Sequence, residues 1–420
     1  MTAASGNANL EANVKGIVVQ DVLIAGGGIG GLTLALALRE TFGETFRVAV
    51  ADPAFGARDA SVRASALTAG SRHLLEAIGI WPQLADRAQP MLGMKITDSR
   101  RNDAVRPLFL DIDQPLANGE PFAFMIQNRD LLGLLEAQVS ARGVTLLPAA
   151  VSRIVTGERG VDIRLADASQ HHARLLVGAD GVQSRVRRVS GIATINHDYR
   201  RSAIVATLAH EEEHHGIAVQ HFLPAGPFAM LPLCGRRSSI VWTERRDDAA
   251  AMLQLSDEDF LAEVERRFGY GLGRFTMEDR PAAFPLRVHL ARRFIAPRTA
   301  LIGDAAHLVH PLAGQGLNLG YRDIAALVSS LAKPVRLGLD PGDEDGLADY
   351  QRARFFDTAS MVAATHGLHR LFSNDIAPVR LLRDIGLGLV NRLPRLKRSF
   401  VREAAGISGD VPALLRGRLP

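Results

Sequence analysis

Residues 16–52 read "GIVVQDVLIAGGGIGGLTLALALRETFGETFRVAVAD", and their pattern decides the fold. An apolar run ends near Ala25 and a glycine turn follows. A stretch from about Gly30 to Thr41, closed by Gly43, has the length and composition of a helix, and a second apolar run ends at Asp52. That order makes a β-α-β unit. Gly26, Gly28 and Gly31 stand at G-x-G-x-x-G spacing. The first permits a tight turn, the second lets backbone approach a pyrophosphate, and the third lets the helix pack on the strand. The helix would then aim its unpaired N–H groups and positive dipole end at the phosphates. Asp52 lies 21 residues past Gly31, close to the roughly 20-residue offset at which a carboxylate accepts ribose hydroxyls. Together these features outweigh the reading of a mere packing turn and imply a dinucleotide, with NAD and FAD both open.

The bulk numbers bound the rest. A chain of 420 residues, 47% hydrophobic and 22% charged, has the composition of an ordinary soluble protein with two or three structural units. Its one cysteine, Cys234, excludes an intrachain disulfide and any metal site built from several cysteines, and fits a reducing compartment. The first residues, "MTAASGNANLEANVKG", read as a flexible tail (1–16) without the basic-then-apolar order of a secretory signal, and no run of 18 apolar residues follows. The expected location is the cytoplasm. A net charge of +4 favours anionic ligands or surfaces, but Lys and Arg are scattered and no nucleic-acid module accompanies them. Nucleic acid is not an expected partner.

Two later segments resolve the cofactor. "RLLVGADGVQSRVR" (174–187) is a short apolar strand from about Leu175 followed by Asp180 between glycines, then Ser184 and Arg187. A buried strand ending in such a carboxylate places a polar group at the ligand-binding edge of an open parallel sheet, although alone it would pass for an ordinary Asp-Gly turn. "TALIGDAAHLVHPLAGQGLNLGYRDIAALVSSLA" (299–332) is a strand to Ile302, then Gly303-Asp304, a Pro- and Gly-rich loop, and a helix from about Gly316 to Leu331.

In this order and at these separations, the three motifs resemble the FAD motifs of the aromatic hydroxylases of the para-hydroxybenzoate hydroxylase group. The run "HPLAGQGLNLG", the segment "RASALTAGSRHLLEAIGIW" (63–81) and the terminal "LPRLKRSFVREAAGISGDVPALLRG" are similar to the ubiquinone-biosynthesis branch of that group. The resemblance implies an α/β fold: a Rossmann-like FAD-binding domain with a β-sheet substrate domain and a helical C-terminal segment. The expected division is a discontinuous FAD domain of 17–75, 125–198 and 289–372, a substrate domain of 76–124 and 199–288, and a terminal segment of 373–420.

Carried over residue by residue, the resemblance puts Gly26, Gly28 and Gly31 at the pyrophosphate and Asp52 on the adenosine ribose, where many relatives have Glu. Arg63 would pair with the pyrophosphate and Arg129 would flank the cofactor. Asp180 and Gly181 would touch FAD and the path of the nicotinamide donor, and Gly303 and Asp304 the ribityl chain. The flavin loop of Pro311, Gly314, Gln315 and Gly316, with Asn318 beyond it, would run beside the isoalloxazine ring. There backbone N–H groups and the helix start would stabilise negative charge on the reduced ring.

The implied enzyme is a FAD-dependent monooxygenase using NADPH or NADH and O2. It would hydroxylate the aromatic ring of a polyprenylated phenol in ubiquinone biosynthesis through a flavin C4a-hydroperoxide, the cofactor supplying the chemistry. No acid-base residue, nucleophile or metal is expected, and the chain has no G-x-S-x-G elbow and no paired Cys ligands. His307 and His310 beside the flavin loop are read as loop-organising hydrogen-bond formers in preference to proton shuttles. Two other classes stay open: a FAD-dependent reductase or dehydrogenase that never activates oxygen, and a flavin-binding scaffold subunit of a quinone-synthesis complex.

His210-Glu211-Glu212-Glu213-His214 matches the H-E-x-x-H pattern of zinc proteases, which requires a helix. With alternating strand-like sequence on both sides and no apolar residue from His210 to His215, it reads instead as a solvated hairpin loop. The stretch from about Tyr199 to Val288 reads as the sheet roofing the flavin, with Phe222, Met230, Leu231 and Pro232 as candidate pocket residues, core packing being the favoured role for any one of them. Past "GLDPGDEDG" the chain reads helical to near Phe372. Arg380, Arg383, Arg392, Arg395, Lys397, Arg398 and Arg402 then make a basic amphipathic stretch. It is suited either to anionic lipid at the inner membrane face or to packing on the domain with its charges solvated, and the greasy substrate class favours the lipid.

Overall fold

A computed structural model of the chain describes residues 19–57, 62–98, 108–112, 116, 119–223, 225–309, 315–372, 405–406 and 411–420. The opening unit forms as its pattern requires: strand Val19–Ala25, helix Ile29–Phe42, strand Val48–Ala51. Because "LTLALAL" is apolar on every side, the helix is buried continuously from Gly31 to Leu38, packed between helices Asn128–Ala141 and Gln315–Arg336. Gly43 ends it with φ +77°, its N–H donating to the Arg39 carbonyl at 2.9 Å.

Five parallel strands carry the first sheet, in the spatial order Thr299–Leu301, Gln170–Gly178, Val19–Ala25, Val48–Ala51, Thr145–Leu147. Three antiparallel strands complete its eight among the described residues. Both faces of the central strand are covered, since Val22, Leu23 and Ile24, which alternate between them, are all fully buried.

The long strand Thr194–His210 leads into a second sheet, nine-stranded among the described residues and mostly antiparallel. Its neighbours are Arg237–Arg245 and Ala282–Ala291. The sheet continues through Gly226–Leu233 and Ile217–Leu223 to Gly93–Asp98 and Leu108–Ile112, so the chain between the first and second cofactor motifs contributes two strands to it. Alternation divides the residues. Ile204, Ala206, Leu208, Ile240 and Trp242 face the helices Arg246–Met252 and Asp257–Phe268 with Phe260 and Val264. Met230 belongs to this helix-covered core, so the pocket role considered for it falls away. Leu231, on the opposite face, packs with Ala64, Ala66 and Met125 of the small three-stranded sheet, and Phe222 shares its side of the pleat.

The His-Glu cluster needs two corrections. Strands do flank it, but Thr194–His210 and Ile217–Leu223 are not partners, since Arg237–Arg245 and Gly226–Leu233 lie between them. The connection is therefore a crossover and not a hairpin. Nor is it solvated throughout: Glu211, Glu212 and Glu213 are exposed, but His210 is 6% and His214 8% exposed. His210 Nδ1–H donates to the Glu212 carbonyl at 2.7 Å and Nε2 accepts from Ser238 Oγ at 3.0 Å. His214 Nε2–H donates to the Leu233 carbonyl at 2.8 Å, and Nδ1 accepts the Gly216 N–H at 3.0 Å. The imidazoles thus fill the corner that an apolar residue would otherwise occupy. Glu211 and Glu213 pair outward with Arg274 and Arg236.

At the far end, residues 411–420 contain a short 3-10 turn, Ala413–Arg416, while residues 373–404 of the expected helical segment lie outside the described residues. Leu414 and Leu415 enter the main core, and His73 Nδ1–H donates to the Leu415 carbonyl at 3.2 Å. The tail 1–16 and the whole basic stretch, Arg380 to Arg402, lie outside the described residues. Among the described residues no helix is long and apolar enough to cross a membrane.

Beneath the second sheet, Arg267 is fully buried between Glu244 and Glu263, its guanidinium 4.0 Å from the Trp242 ring centroid. Replacing Arg267 by Leu leaves the buried Glu244 carboxylate without this partner, which should destabilise the protein by about 3–5 kcal/mol. An unchanged urea midpoint for Arg267→Leu would refute that.

Candidate cofactor site

The carboxyl ends of the five adjacent parallel strands stand level. Gly26 N–H donates to the Ala51 carbonyl at 2.8 Å, Ala179 N–H to Ala25 at 2.7 Å, Ile302 N–H to Gly178 at 3.0 Å, and Asp52 N–H to Leu147 at 3.0 Å. Three motifs scattered over 280 residues of sequence thereby meet at one sheet edge, bringing Gly26, Asp52, Asp180 and Gly303-Asp304 together.

The three glycines of the first motif are required for different reasons. At Gly26, φ is +107° and a Cβ would lie 2.3 Å from the Ala179 carbonyl oxygen. At Gly31 a Cβ would lie 1.9 Å from the Gly26 oxygen. Gly28 is the reverse case: φ is −67°, open to any residue, and a Cβ there meets no protein atom within 4 Å. Its bareness has no use to the protein alone and leaves room for a ligand. Gly28 also begins the helix with no side-chain cap, and the first turn holds no acid, so the leading N–H groups are free to face an anion.

The carboxylates play mixed parts. Asp52 is half-buried and braces the glycine turn, accepting the Gly27 N–H at 2.6 Å and the Ala54 N–H at 2.8 Å. Asp180 accepts the N–H groups of Arg185 and Val186 through Oδ2 at 2.7 and 3.1 Å, while its Oδ1 is buried with no partner among the described residues. Asp304 keeps an exposed surface although protein crowds it. That burial raises its carboxyl pKa against the opposing pull of His307 and Arg63. A side chain both crowded and open to solvent lines a deep cleft. Arg63 reaches the same cleft, its guanidinium 5.2 Å from the Phe284 ring centroid.

Other expected members stand apart. Arg129 is exposed and turned to Gln127 and Asp279, although Asn128 N–H bonds the Arg63 carbonyl and keeps the two arginines neighbours. Asn318 is 3% exposed and works as a brace: Oδ1 accepts Thr68 N–H at 3.0 Å and Ser71 Oγ at 2.7 Å, and Nδ2 donates to the Ala66 carbonyl at 2.8 Å. This draws its side chain toward residues 66–71. Gly181 and Gly303 take φ of +74° and +55°, and Gly316 lies in the first turn of helix Gln315–Arg336 with open space at its Cβ position. His310, Pro311 and Gly314 lie outside the described residues.

Sequence reasoning missed the network beneath these loops. Asp323, fully buried, accepts Gly303 N–H at 2.9 Å, His307 Nε2–H at 2.6 Å and Arg354 Nε–H at 2.8 Å. Burial alone would raise its pKa, but the charges and hydrogen bonds of His307 and Arg354 prevail and hold it low. A signal existed: Asp323 sits four residues from both Leu319 and Leu327, on the helix's buried face. Arg187 clamps the second motif to the third, donating to the Ala305 carbonyl at 2.8 Å and the Val182 carbonyl at 2.7 Å. His289 lies beside them, its Nδ1–H on Asn196 Oδ1 at 2.8 Å; burial and the Arg187 charge press its pKa down to about 4.

An uncapped helix start, an open glycine, an orphaned carboxylate oxygen and a cationic side chain over a cleft acid fit a dinucleotide carrying a pyrophosphate. The comparisons agree. A family model described as FAD binding domain matches residues 19–364. The chain is 44% identical to "Ubiquinone hydroxylase UbiL" of Rhodospirillum rubrum, covering 95% of this chain and 93% of that one. It is 31% identical to the "3-demethoxyubiquinol 3-hydroxylase" of Escherichia coli, over 92% and 98% of the two chains. The fold is that of p-nitrophenol 4-monooxygenase PnpA from Pseudomonas putida, with a TM-score of 0.75 at 18% identity, covering 93% of this chain and 99% of that one.

Two outcomes follow from the geometry. Gly28→Ala should fold with a melting temperature near that of the parent apoprotein but lose tenfold or more in flavin affinity, whereas Gly31→Ala should lose fold and flavin together. Flavin content and circular dichroism of the two variants decide it. The second concerns pH. His289 is held neutral in the folded chain, so its folded pKa lies below the unfolded value of about 6.5. Its contribution is fully present above that pH and is lost as pH falls toward 4, amounting to at most about 3 kcal/mol. His289→Gln should flatten the fall in melting temperature between pH 7 and 4.5; a slope equal to the parent's would exclude the histidine.

Proposed function

The chain belongs to the FAD binding domain family, and from that premise we propose that it is a FAD-dependent monooxygenase hydroxylating the ring of a polyprenylated phenol in ubiquinone biosynthesis. Likeness to a ubiquinone hydroxylase over 95% of the chain, with all three cofactor motifs gathered at one sheet edge, carries the reading. The FAD domain comprises 17–75, 125–198 and 289–372, and the substrate domain 76–124 and 199–288.

FAD, when bound, would supply the redox chemistry: oxidation of NADPH or NADH and insertion of one atom of O2 into the ring, the other leaving as water. The chain binds and orients. Gly26, Gly28 and Gly31 with the helix start hold the pyrophosphate, faced by Arg63, with Asp52 on the ribose and Asp304 on the ribityl chain. Asp323 fixes Gly303 N–H and so the Asp304 loop, and Arg187 ties that loop to Asp180 and Gly181. The second sheet borders the site through Phe284, whose ring faces the Arg63 guanidinium, and would shield a bound flavin from water. The basic segment from Arg380 to Arg402 is the part of the chain suited to anionic lipid, where a polyprenylated phenol partitions.

The test is to follow the flavin band of purified protein under NADPH, with isotope-labelled O2 and 2-farnesylphenol. The expected result is bleaching, recovery on admission of O2, and one labelled oxygen in the product. Flavin turnover that leaves the phenol unlabelled would instead place the protein among reductases.

A further inference from the structure

Phe284 stands on strand Ala282–Ala291 of the second sheet, opposite Ala203 of strand Thr194–His210. The next pair in the register, Ala283 and Ile204, packs in the helix-covered core. Alternation therefore turns Phe284 to the other face of the sheet. Its ring is half-buried and joins none of the three apolar clusters formed by the described residues. A large aromatic side chain ordinarily buries its area in such a cluster. What meets this ring instead is the Arg63 guanidinium, 5.2 Å from its centroid and within the range of cation–π attraction.

Arg63 comes from the cofactor side of the molecule. Its carbonyl accepts the Asn128 N–H at 2.9 Å, which anchors its backbone, while its side chain is exposed. An exposed arginine samples many rotamers, and capturing one by a ligand costs that freedom. Asp304 adds a second constraint. It lies near enough for the Arg63 charge to pull its carboxyl pKa down against the effect of burial. Yet among the described residues Asp304 makes no hydrogen bond and no ion pair with Arg63 or any other group. A cation and a carboxylate in one cleft close on each other unless something holds them apart. The aromatic face does so here, because it attracts the guanidinium through its quadrupole without neutralising the charge. Asp304 thereby keeps its oxygens for the hydroxyls of a ligand.

We propose, on the functional reading above, that Phe284 is a positioning residue for FAD: its ring holds the Arg63 guanidinium at the cofactor cleft and apart from Asp304, so that the pyrophosphate meets a cation already in place. The substrate sheet in this way takes part in binding the cofactor. Because the ring acts through Arg63, its effect disappears when the guanidinium is removed. It also depends on an aromatic face and not on bulk alone.

The experiment titrates the full chain, stripped of flavin, with FAD and follows the quenching of flavin fluorescence, with circular dichroism as the check on folding. Phe284→Leu should raise Kd for FAD about fivefold, the size of a cation–π contact at a partly exposed site. Phe284→Trp, which keeps an aromatic face, should bind FAD within about twofold of the parent. Arg63→Gln should weaken binding at least as much as Phe284→Leu, and adding Phe284→Leu to it should change Kd by less than about twofold more. An aromatic ring that merely supports the strand would weaken the Arg63→Gln protein as much as the parent. The proposal is overturned if folded Phe284→Leu binds FAD like the parent, if its effect persists undiminished beside Arg63→Gln, or if Phe284→Trp binds no better than Phe284→Leu. Should Phe284→Leu fail to fold, Phe284→Met takes its place in the same cycle. A parent that takes up no FAD removes the functional reading and the role of Phe284 together. A parent that binds FAD, with Arg63→Gln indistinguishable from it, removes the role of Phe284 and leaves the flavoprotein standing.

Discussion

The Gly26 carbonyl oxygen occupies the place where a side chain on residue 31 would begin, 1.9 Å from an ideal Cβ. That close approach folds the first turn of helix Ile29–Phe42 back over the end of strand Val19–Ala25, and much of the structure depends on it. Gly26 N–H can then bond Ala51 while Ala25 receives Ala179, locking the ends of the neighbouring strands to the same level. An open glycine and an uncapped helix start are thereby presented beside the carboxylates that follow the other strands. The site is a consequence of strand ends held in register, and residues hundreds of positions apart enter it without any loop having to search for them.

Much of this was legible in the sequence because the information is local. Glycines at fixed spacing, an apolar run of helical length and an acid after each strand are read within windows of 40 residues or fewer, and helix Ile29–Phe42 and the strands around it fall within a residue or two of expectation. The parts misread depend on distant partners. The His-Glu cluster looked solvated because no residue in it is apolar, yet its histidines are buried by Ser238, Leu233 and Phe275. Pairing through strands 20 residues downstream also replaced the expected hairpin by a crossover. Asn318 sits in a motif suited to a ligand, but the strand and helix from Ala66 to Ser71 claim its amide. Met230 and Leu231 are adjacent and both apolar; only the pleat, set by register against Arg237–Arg245, says which of them faces the helices.

Buried charge is used in two ways. Around Arg267 it closes on itself, with carboxylates and an aromatic face meeting the guanidinium, and the helices above are fixed by it. Such pairs add little net stability over a well-packed apolar core but are costly to break. Around Asp323 the same chemistry is directed outward. One carboxylate gathers a backbone N–H, an imidazole and a guanidinium from three separate segments. What it holds still is Gly303, one residue before the cleft carboxylate Asp304. The cleft acid is thus positioned by a second acid that never reaches solvent.

The two sheets divide recognition by the kind of atom they offer. The parallel sheet meets its ligand largely with backbone: bare glycines, helix N–H groups, and carboxylates already partly bonded to their own loops. Those features suit a ligand of fixed chemistry, because backbone geometry cannot be altered one group at a time. The antiparallel sheet offers side chains from alternate positions of long strands, each changeable without moving its neighbours. Along strand Arg237–Arg245, Ser239, Val241 and Thr243 share the face turned away from Ile240 and Trp242, so polar and apolar groups mix there. A substitution on that face therefore leaves the ends of the parallel strands in place, whereas a side chain at Gly26 or Gly31 collides with the backbone that holds them.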